Sequence, residues 1–198
     1  GQPAAVQTLE EIITEVATEP AANNDPLSVG FEGTRTYVRT LEVPAAVRRR
    51  LAEVLPFELE AQLPFDIDDA VFDFRPRPGV PLDRAQPVLV AAAKTAEVRE
   101  RIDQIKRALG REPDHVAPTA FPLSDLAAAL PAFKGPGELR AIVDLGSEGS
   151  ELLVLDGTEP VFARTLSRGV QGMPQSAAAL AREIRQTFVA FRAAGGAA

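Results

Sequence analysis

Apolar residues near the start of the chain recur at helical spacing. Four of them fall at i, i+3, i+4 and i+7 and predict a short amphipathic helix over residues 4–18: Leu9, Ile12, Ile13 and Val16. Further on, β-branched and aromatic residues cluster in short runs that are typical of strands, at residues 28–32, 35–43, 71–75 and 86–93. Residues 88–93 are apolar throughout, which indicates a strand covered on both faces.

Helices are predicted between these strands. Pro44 suits the first turn of a helix, and Pro56 is expected to break or restart that helix. Its apolar face is formed by three residues at helical spacing: Val47, Leu51 and Val54. The clearest helical pattern begins at Thr95, a candidate cap, and ends at Gly110, because glycine readily adopts the left-handed conformation that closes a helix.

The order of predicted strands and helices changes at a Gly/Pro linker over residues 135–137. A short strand and a helix are predicted before it, at residues 115–118 and 123–130. Three strand candidates and a long Ala-rich helix follow it, at residues 139–144, 151–155, 161–166 and 174–192. Asp156-Gly157 is a hairpin signal between the last two strands. This order predicts an antiparallel meander packed by one helix.

Composition narrows the classes of function. The 198 residues are 45% hydrophobic and 25% charged, which is ordinary for a globular protein of one domain or two small ones. The absence of cysteine excludes disulfides and thiolate metal sites. The net charge of -7 argues against a nucleic-acid partner. No apolar run reaches the roughly 18 residues of a membrane-spanning helix, and the first residues lack a signal-peptide pattern.

One motif carries candidate chemistry. Asp144-Leu145-Gly146-Ser147 places a carboxylate at the end of an apolar strand, directly before a glycine turn. Such a turn can bring backbone N–H groups close to a phosphate, and the aspartate can hold a hydrated magnesium ion beside it. The same residues also suit an ordinary turn at a strand end, and the sequence leaves both interpretations open.

The other candidate functional residues give weaker signals of a site. The only histidine, His115, rules out a catalytic triad or a multi-histidine metal site and is expected at the surface or at a strand edge. Turn formation and solvation explain the acidic run at residues 66–69 better than catalysis does. Three consecutive arginines, at residues 48–50, predict a solvated face, with contact to an acidic partner as the alternative.

Several motifs occur in a characteristic order: VGFEG at 29–33, RTLEVP at 39–44, LPFELEAQL at 55–63, PFDIDD at 64–69, IVDLGS at 142–147 and PVFART at 160–165. Together they resemble the PilM/GspL group of actin-like proteins, relatives of the division protein FtsA. The segment 55–63 is more similar to GspL and the segment 64–69 to PilM, so the choice between a type II secretion system and a type IV pilus system stays open.

The resemblance implies an α/β (α+β) fold: a partial actin-like, ribonuclease-H-like fold with an inserted α+β subdomain of the SHS2 type. Residues 1–34 would be a remnant of the first lobe, residues 35–135 the inserted subdomain, and residues 136–198 the start of the second lobe. The Asp144–Ser147 turn would match a phosphate loop, and Arg164 with Gly169 the segment after the hairpin.

The chain departs from the family pattern at both ends. A phosphate loop upstream of the first helix is missing, and Gly195-Gly196 does not fit an adenosine turn. We therefore expect a fragment or a reduced family member, without tight ATP binding. Asp144, Gly146 and Ser147 would be a vestigial phosphate and magnesium site, and no cofactor is expected, although ATP and magnesium could bind a full-length relative.

The resemblance also implies a function. We expect a cytoplasmic scaffold at the inner membrane, not an enzyme, that links a motor ATPase to platform proteins; a second copy of the chain is a further candidate partner. Packing is expected of Val47, Leu51, Leu59 and Phe65, and docking near strand 35–43. Partner binding is expected of the following residues: Arg48, Arg49, Phe65, Asp66 and Asp68. The alternatives are an actin-like ATP-binding protein or ATPase, and an unrelated α/β domain.

Overall fold

The computed structural model describes residues 8–16, 26–118, 120–130 and 138–193. These residues form five α-helices: α1 Leu9–Val16, α2 Leu51–Glu60, α3 Thr95–Leu109, α4 Pro122–Ala129 and α5 Ala177–Ala193. They also form eight strands: β1 Ser28–Phe31, β2 Thr36–Val43, β3 Ala70–Pro76, β4 Gln86–Lys94, β5 His115–Pro118, β6 Leu139–Leu145, β7 Ser150–Asp156 and β8 Glu159–Leu166. Among the described residues, no helix is long and apolar enough to cross a membrane.

The strands form three sheets. β1 and β5 pair in parallel, with Ser28 opposite His115. β2, β4 and β3 form an antiparallel sheet with β4 in the centre. β6, β7 and β8 form the predicted antiparallel meander, and Gly157 turns β7 into β8 with a φ of 63°. The strand predictions are confirmed, while the predicted linker 135–137 lies outside the described residues.

The β2–β4–β3 sheet buries one face under α2 and the 3₁₀ helix Ala45–Arg50 that precedes it. Six residues form this core at 6% exposure or less: Leu41, Val43, Leu55, Leu59, Val88 and Val90. Val47 and Leu51 pack against it, as the sequence predicts. The predicted break at Pro56 is wrong, because α2 continues through the proline. Burial of Leu55 and Leu59 on either side of Pro56 outweighs the one missing backbone hydrogen bond.

α3 follows β4 without a connecting loop. Its first residue is Thr95, so the preceding Lys94 occupies the cap position, and no side chain caps the helix. The predicted Thr95 cap is therefore wrong by one residue. The predicted end at Gly110 is confirmed: its φ is 74° and its N–H donates to the carbonyl oxygen of Lys106 at 2.9 Å.

The meander is covered on both faces. Leu153, Leu155 and Ala163 face α4 together with Val38 of β2. The opposite face packs on α5, where Leu180 and Phe191 are buried, and Phe162 meets Phe191 edge to face. α5 begins three residues later than predicted, because residues 171–176 form turns.

A buried glycine joins the first half of the chain to the meander. Gly33 lies in the 3₁₀ helix Gly33–Arg35, and a Cβ atom there would fall well inside 3.0 Å of the Glu151 carboxylate and the Thr165 hydroxyl. Thr165 in turn donates to Glu151 at 3.0 Å. The pairing of β1 with β5 also links residues on either side of the expected boundary at 34/35. The proposed division of the chain itself stays a prediction.

Candidate docking groove and glycine turn

The turn between β6 and β7 contains the motif that the sequence singled out. Asp144 is exposed near the end of β6 and lies opposite Glu151 in the ladder, so both carboxylates are on the same face of the sheet. Within the described residues, no group of three or more histidine, cysteine, aspartate or glutamate side chains is arranged to hold a metal ion. The two carboxylates alone would leave most of a cation's coordination to water.

The backbone of this turn is fastened to the segment after β8. The N–H groups of Val170 and Gln171 donate to the carbonyl oxygens of Gly146 and Ser147 at 2.9 and 2.8 Å. Gly169 makes this close approach feasible, since a Cβ atom there would fall well inside 3.0 Å of both carbonyl oxygens. The geometry gives Gly146 and Ser147 a structural role, and their role in phosphate binding stays a prediction.

The predicted partner-binding arginines have different surroundings. Arg48 donates to the carbonyl oxygens of Pro81 and Val80 at 2.7 and 2.9 Å, so it holds the loop between β3 and β4. Arg49 is exposed beside it. Of these two arginines, only Arg49 is exposed and makes no hydrogen bond or ion pair with the described residues.

Phe65, Asp66 and Asp68 lie at the other end of the same sheet. The ring of Phe65 meets Tyr37 edge to face with centroids 5.3 Å apart, and the Lys94 ammonium lies 5.5 Å from its centroid. Asp66 caps the 3₁₀ helix Ile67–Asp69 by accepting from the Asp68 N–H at 3.0 Å. The predicted set is thus split between two ends of the sheet, and its partner-binding role stays a prediction.

Residues at the start of β5 tie it to β1. Asp114 accepts a hydrogen bond from the Leu27 N–H at 2.8 Å and donates its own N–H to the Leu27 carbonyl oxygen at 2.8 Å. The bond from Leu27, helped by the charge of Arg111, lowers the pKa of the Asp114 carboxyl. His115 is exposed on this strand, as predicted.

A groove that the sequence did not predict runs between β5 and β3. In the described part of the chain, β5 pairs only with β1 and β3 only with β4, so each leaves one strand edge without a partner. Two adjoining hollows of about 220 and 200 Å³ lie here, and both are lined by Asp73, Ala91, Val116 and Pro118. We call this the β3–β5 groove.

The lining of the β3–β5 groove is mostly apolar. Its other large apolar side chains come from several elements: Phe31, Val71, Phe72, Phe74, Leu89, Val98 and Phe121. Val71 is 44% exposed, and the two charged lining residues are Asp73 and Arg75, both exposed. An apolar channel beside open strand edges can accept an extended peptide, because the backbone would find hydrogen-bond partners and its side chains apolar contacts.

Comparison with known proteins identifies relatives. The family model described as type IV pilus assembly protein PilM matches residues 1–180. A solved PilM–PilN type IV pilus biogenesis complex is similar at 24% identity with a TM-score of 0.64, covering 97% of this chain and 63% of that chain. The cytoplasmic domain of EpsL, an inner-membrane component of the type II secretion system of Vibrio cholerae, is similar at 15% identity with a TM-score of 0.57, covering 80% of this chain and 56% of that chain. No match was found among curated proteins.

These matches confirm the mixed α/β fold and its similarity to the actin-like domains of PilM and EpsL. The chain spans less than two thirds of either solved relative. Because the family model matches most of its length, the chain belongs to the family of the type IV pilus assembly protein PilM.

Proposed function

We propose that the chain is a protein-binding scaffold on the cytoplasmic side of the inner membrane in a type IV pilus or type II secretion machine. It docks an extended cytoplasmic segment of a platform protein in the β3–β5 groove and links that protein to the motor ATPase. Its function is binding, not catalysis. The observation that carries the proposal is an apolar groove bordered by two open strand edges.

The chemistry of the groove selects an extended segment. A helix would satisfy its own backbone groups and gain nothing from the open edges of β3 and β5, whereas an added strand would pair with one of them. The alternating side chains of that strand would contact Ala91 and Val116 on the apolar lining. An apolar, extended peptide of a few residues is therefore the expected occupant.

Charge supports a membrane-protein tail as the source of that peptide. Cytoplasmic segments next to membrane spans are enriched in lysine and arginine, and this chain carries a net charge of -7. Opposite net charges raise the association rate and favour this partner over acidic ones. A relative solved as a complex of PilM with PilN, and another that is an inner-membrane component, are consistent with such a partner.

The test measures binding of a labelled peptide, from the cytoplasmic segment of the cognate platform protein, by fluorescence anisotropy. Val71→Lys places a charge in the β3–β5 groove at a residue 44% exposed, so the fold should tolerate it. We expect affinity to fall at least about tenfold, which is on the order of 1.4 kcal/mol. The matched control is Leu82→Lys, the same change at a residue 75% exposed on the loop between β3 and β4.

Equal binding by Val71→Lys and the unchanged protein would exclude the groove as the docking site. Equal loss in both lysine variants would point to a general charge effect instead. The motor ATPase is tested separately by pull-down with the unchanged protein. If the protein binds neither the ATPase nor the platform peptide, the scaffold function is refuted.

A further inference from the structure

Acidic residues are scarce at the C-terminal end of this acidic chain. Residues 160–198 carry five of the 21 basic residues and only one of the 28 acidic residues, although the whole chain has a net charge of -7. All five are arginines: Arg164, Arg168, Arg182, Arg185 and Arg192. All five are exposed.

Three of these arginines share one face of α5. Arg182, Arg185 and Arg192 fall within about 80° of one another around the helix axis and extend over about 15 Å. They lie away from the side that packs on the meander, where Leu180 and Phe191 are buried. We call Arg182, Arg185 and Arg192 the arginine face.

None of the three guanidinium groups of the arginine face makes an ion pair or hydrogen bond with the described residues. Arginines elsewhere in the same structure do so: Arg77 pairs with Asp156, and Arg101 with Glu32. The single acidic residue of this helix, Glu183, is engaged by the N–H and hydroxyl of Ser167 at 2.7 and 3.2 Å. The arginine face therefore keeps its full charge available for an external anion.

We infer that the arginine face binds an anionic phospholipid surface. The outside of a helix is convex and offers no groove to enclose a peptide, whereas a plane of lipid phosphates can meet several guanidinium groups at once in any lateral position. Val189 lies between Arg185 and Arg192 on the same side and is 67% exposed, so it can enter the interfacial region while the arginines contact phosphates.

The contact would orient the chain relative to the membrane. It would hold α5 against the lipid surface and thereby keep the protein near the membrane-embedded partner proposed above. The inference does not depend on what occupies the β3–β5 groove. The Val71→Lys variant should therefore bind vesicles as well as the unchanged protein does, and this separates failure of one proposal from failure of the other.

Vesicle co-sedimentation tests the lipid contact. The chain is mixed with vesicles of phosphatidylcholine alone or with about 30% phosphatidylglycerol, at ~0.1 M and ~0.5 M salt. We expect binding only to the anionic vesicles, and loss of it at the higher salt. Each arginine near an anionic surface adds roughly fivefold to affinity, so Arg185→Gln/Arg192→Gln should weaken binding on the order of 25-fold.

The matched control removes two charges elsewhere. Arg84 and Arg99 are exposed on the loop after β3 and on α3, and Arg84→Gln/Arg99→Gln changes the net charge by the same amount. It should weaken binding less than about threefold, because charges away from the contact act only at long range. Equal loss in both double variants, or no binding to anionic vesicles, would overturn the inference. Binding to a polyglutamate peptide but not to vesicles would assign the arginine face to an acidic protein instead.

Discussion

The substitution Gly169→Ala tests whether the glycine turn is held in place by direct backbone contact. The added Cβ would overlap the carbonyl oxygens of Gly146 and Ser147. Both oxygens belong to the main chain and cannot move as the end of a side chain could. Relief of the overlap requires the segment after β8 to withdraw from the turn.

The cost follows from the contacts that withdrawal would break. Two backbone hydrogen bonds, from Val170 and Gln171, would lengthen or be lost, at about 0.5–1.5 kcal/mol each. Residual crowding adds about 1 kcal/mol. We expect Gly169→Ala to lower the free energy of unfolding by about 2–4 kcal/mol.

Urea denaturation followed by far-ultraviolet circular dichroism measures this change, because the chain contains no tryptophan for fluorescence. For a urea slope of about 2 kcal/mol per molar, the midpoint should fall by about 1–2 M. Gly149→Ala is the matched control in the same turn, since its Cβ would lie 3.3 Å from the nearest atom, the Leu166 carbonyl oxygen. Equal midpoints for the two variants would refute the close-contact argument.

Three further outcomes are expected. Leu59→Ala, at a residue with 0% exposure, should lower the free energy of unfolding by about 2–5 kcal/mol, while Leu82→Ala, at an exposed residue, should change it by less than about 0.5 kcal/mol; equal urea midpoints would contradict this. Isothermal titration with Mg-ATP should give no heat of binding, and micromolar binding abolished by Asp144→Ala would support the ATP-binding alternative instead. The lowered pKa of Asp114 means that its hydrogen bond with Leu27 stabilises the fold above the ordinary carboxyl pKa, and that this contribution is lost as the pH falls through the lowered value. Asp114→Asn should therefore lower the urea midpoint near neutral pH, and by progressively less as the pH falls below the ordinary carboxyl pKa; a difference that does not change with pH would refute the linkage.

Much of the fold follows from local patterns in the sequence. The meander was predictable because its strands are neighbours in the chain and a Gly-containing turn joins the last two. The path of α2 through Pro56 was not, because local propensity favours a break there. What decides the outcome is the burial of Leu55 and Leu59 against β4, a contact that no local pattern encodes.

The predicted site residues show the same limit. The sequence correctly put Asp144 at a strand end before a turn, but gave no sign that Gly169 would bring a second segment onto that turn. The sequence predicts both packing and partner binding for Phe65, and partner binding for Asp66. In the structure Phe65 packs on Tyr37, as predicted, and Asp66 caps a 3₁₀ helix. Residue type identified groups capable of binding, and only their neighbours reveal which contacts they already make.

The β3–β5 groove lay beyond sequence reasoning for a different reason. Its walls come from strands that do not pair with each other, and β5 reaches its place only by pairing with β1, which is far away in the chain. Its lining residues show no local sign of a groove: Val71 is an ordinary strand residue, and Pro118 ends a short strand. The cavity arises from the space between two sheets, so its existence depends on how the sheets are placed. A peptide strand paired with one of these edges would place its side chains against the apolar lining that includes Val71, and a lysine at Val71 is therefore expected to weaken docking.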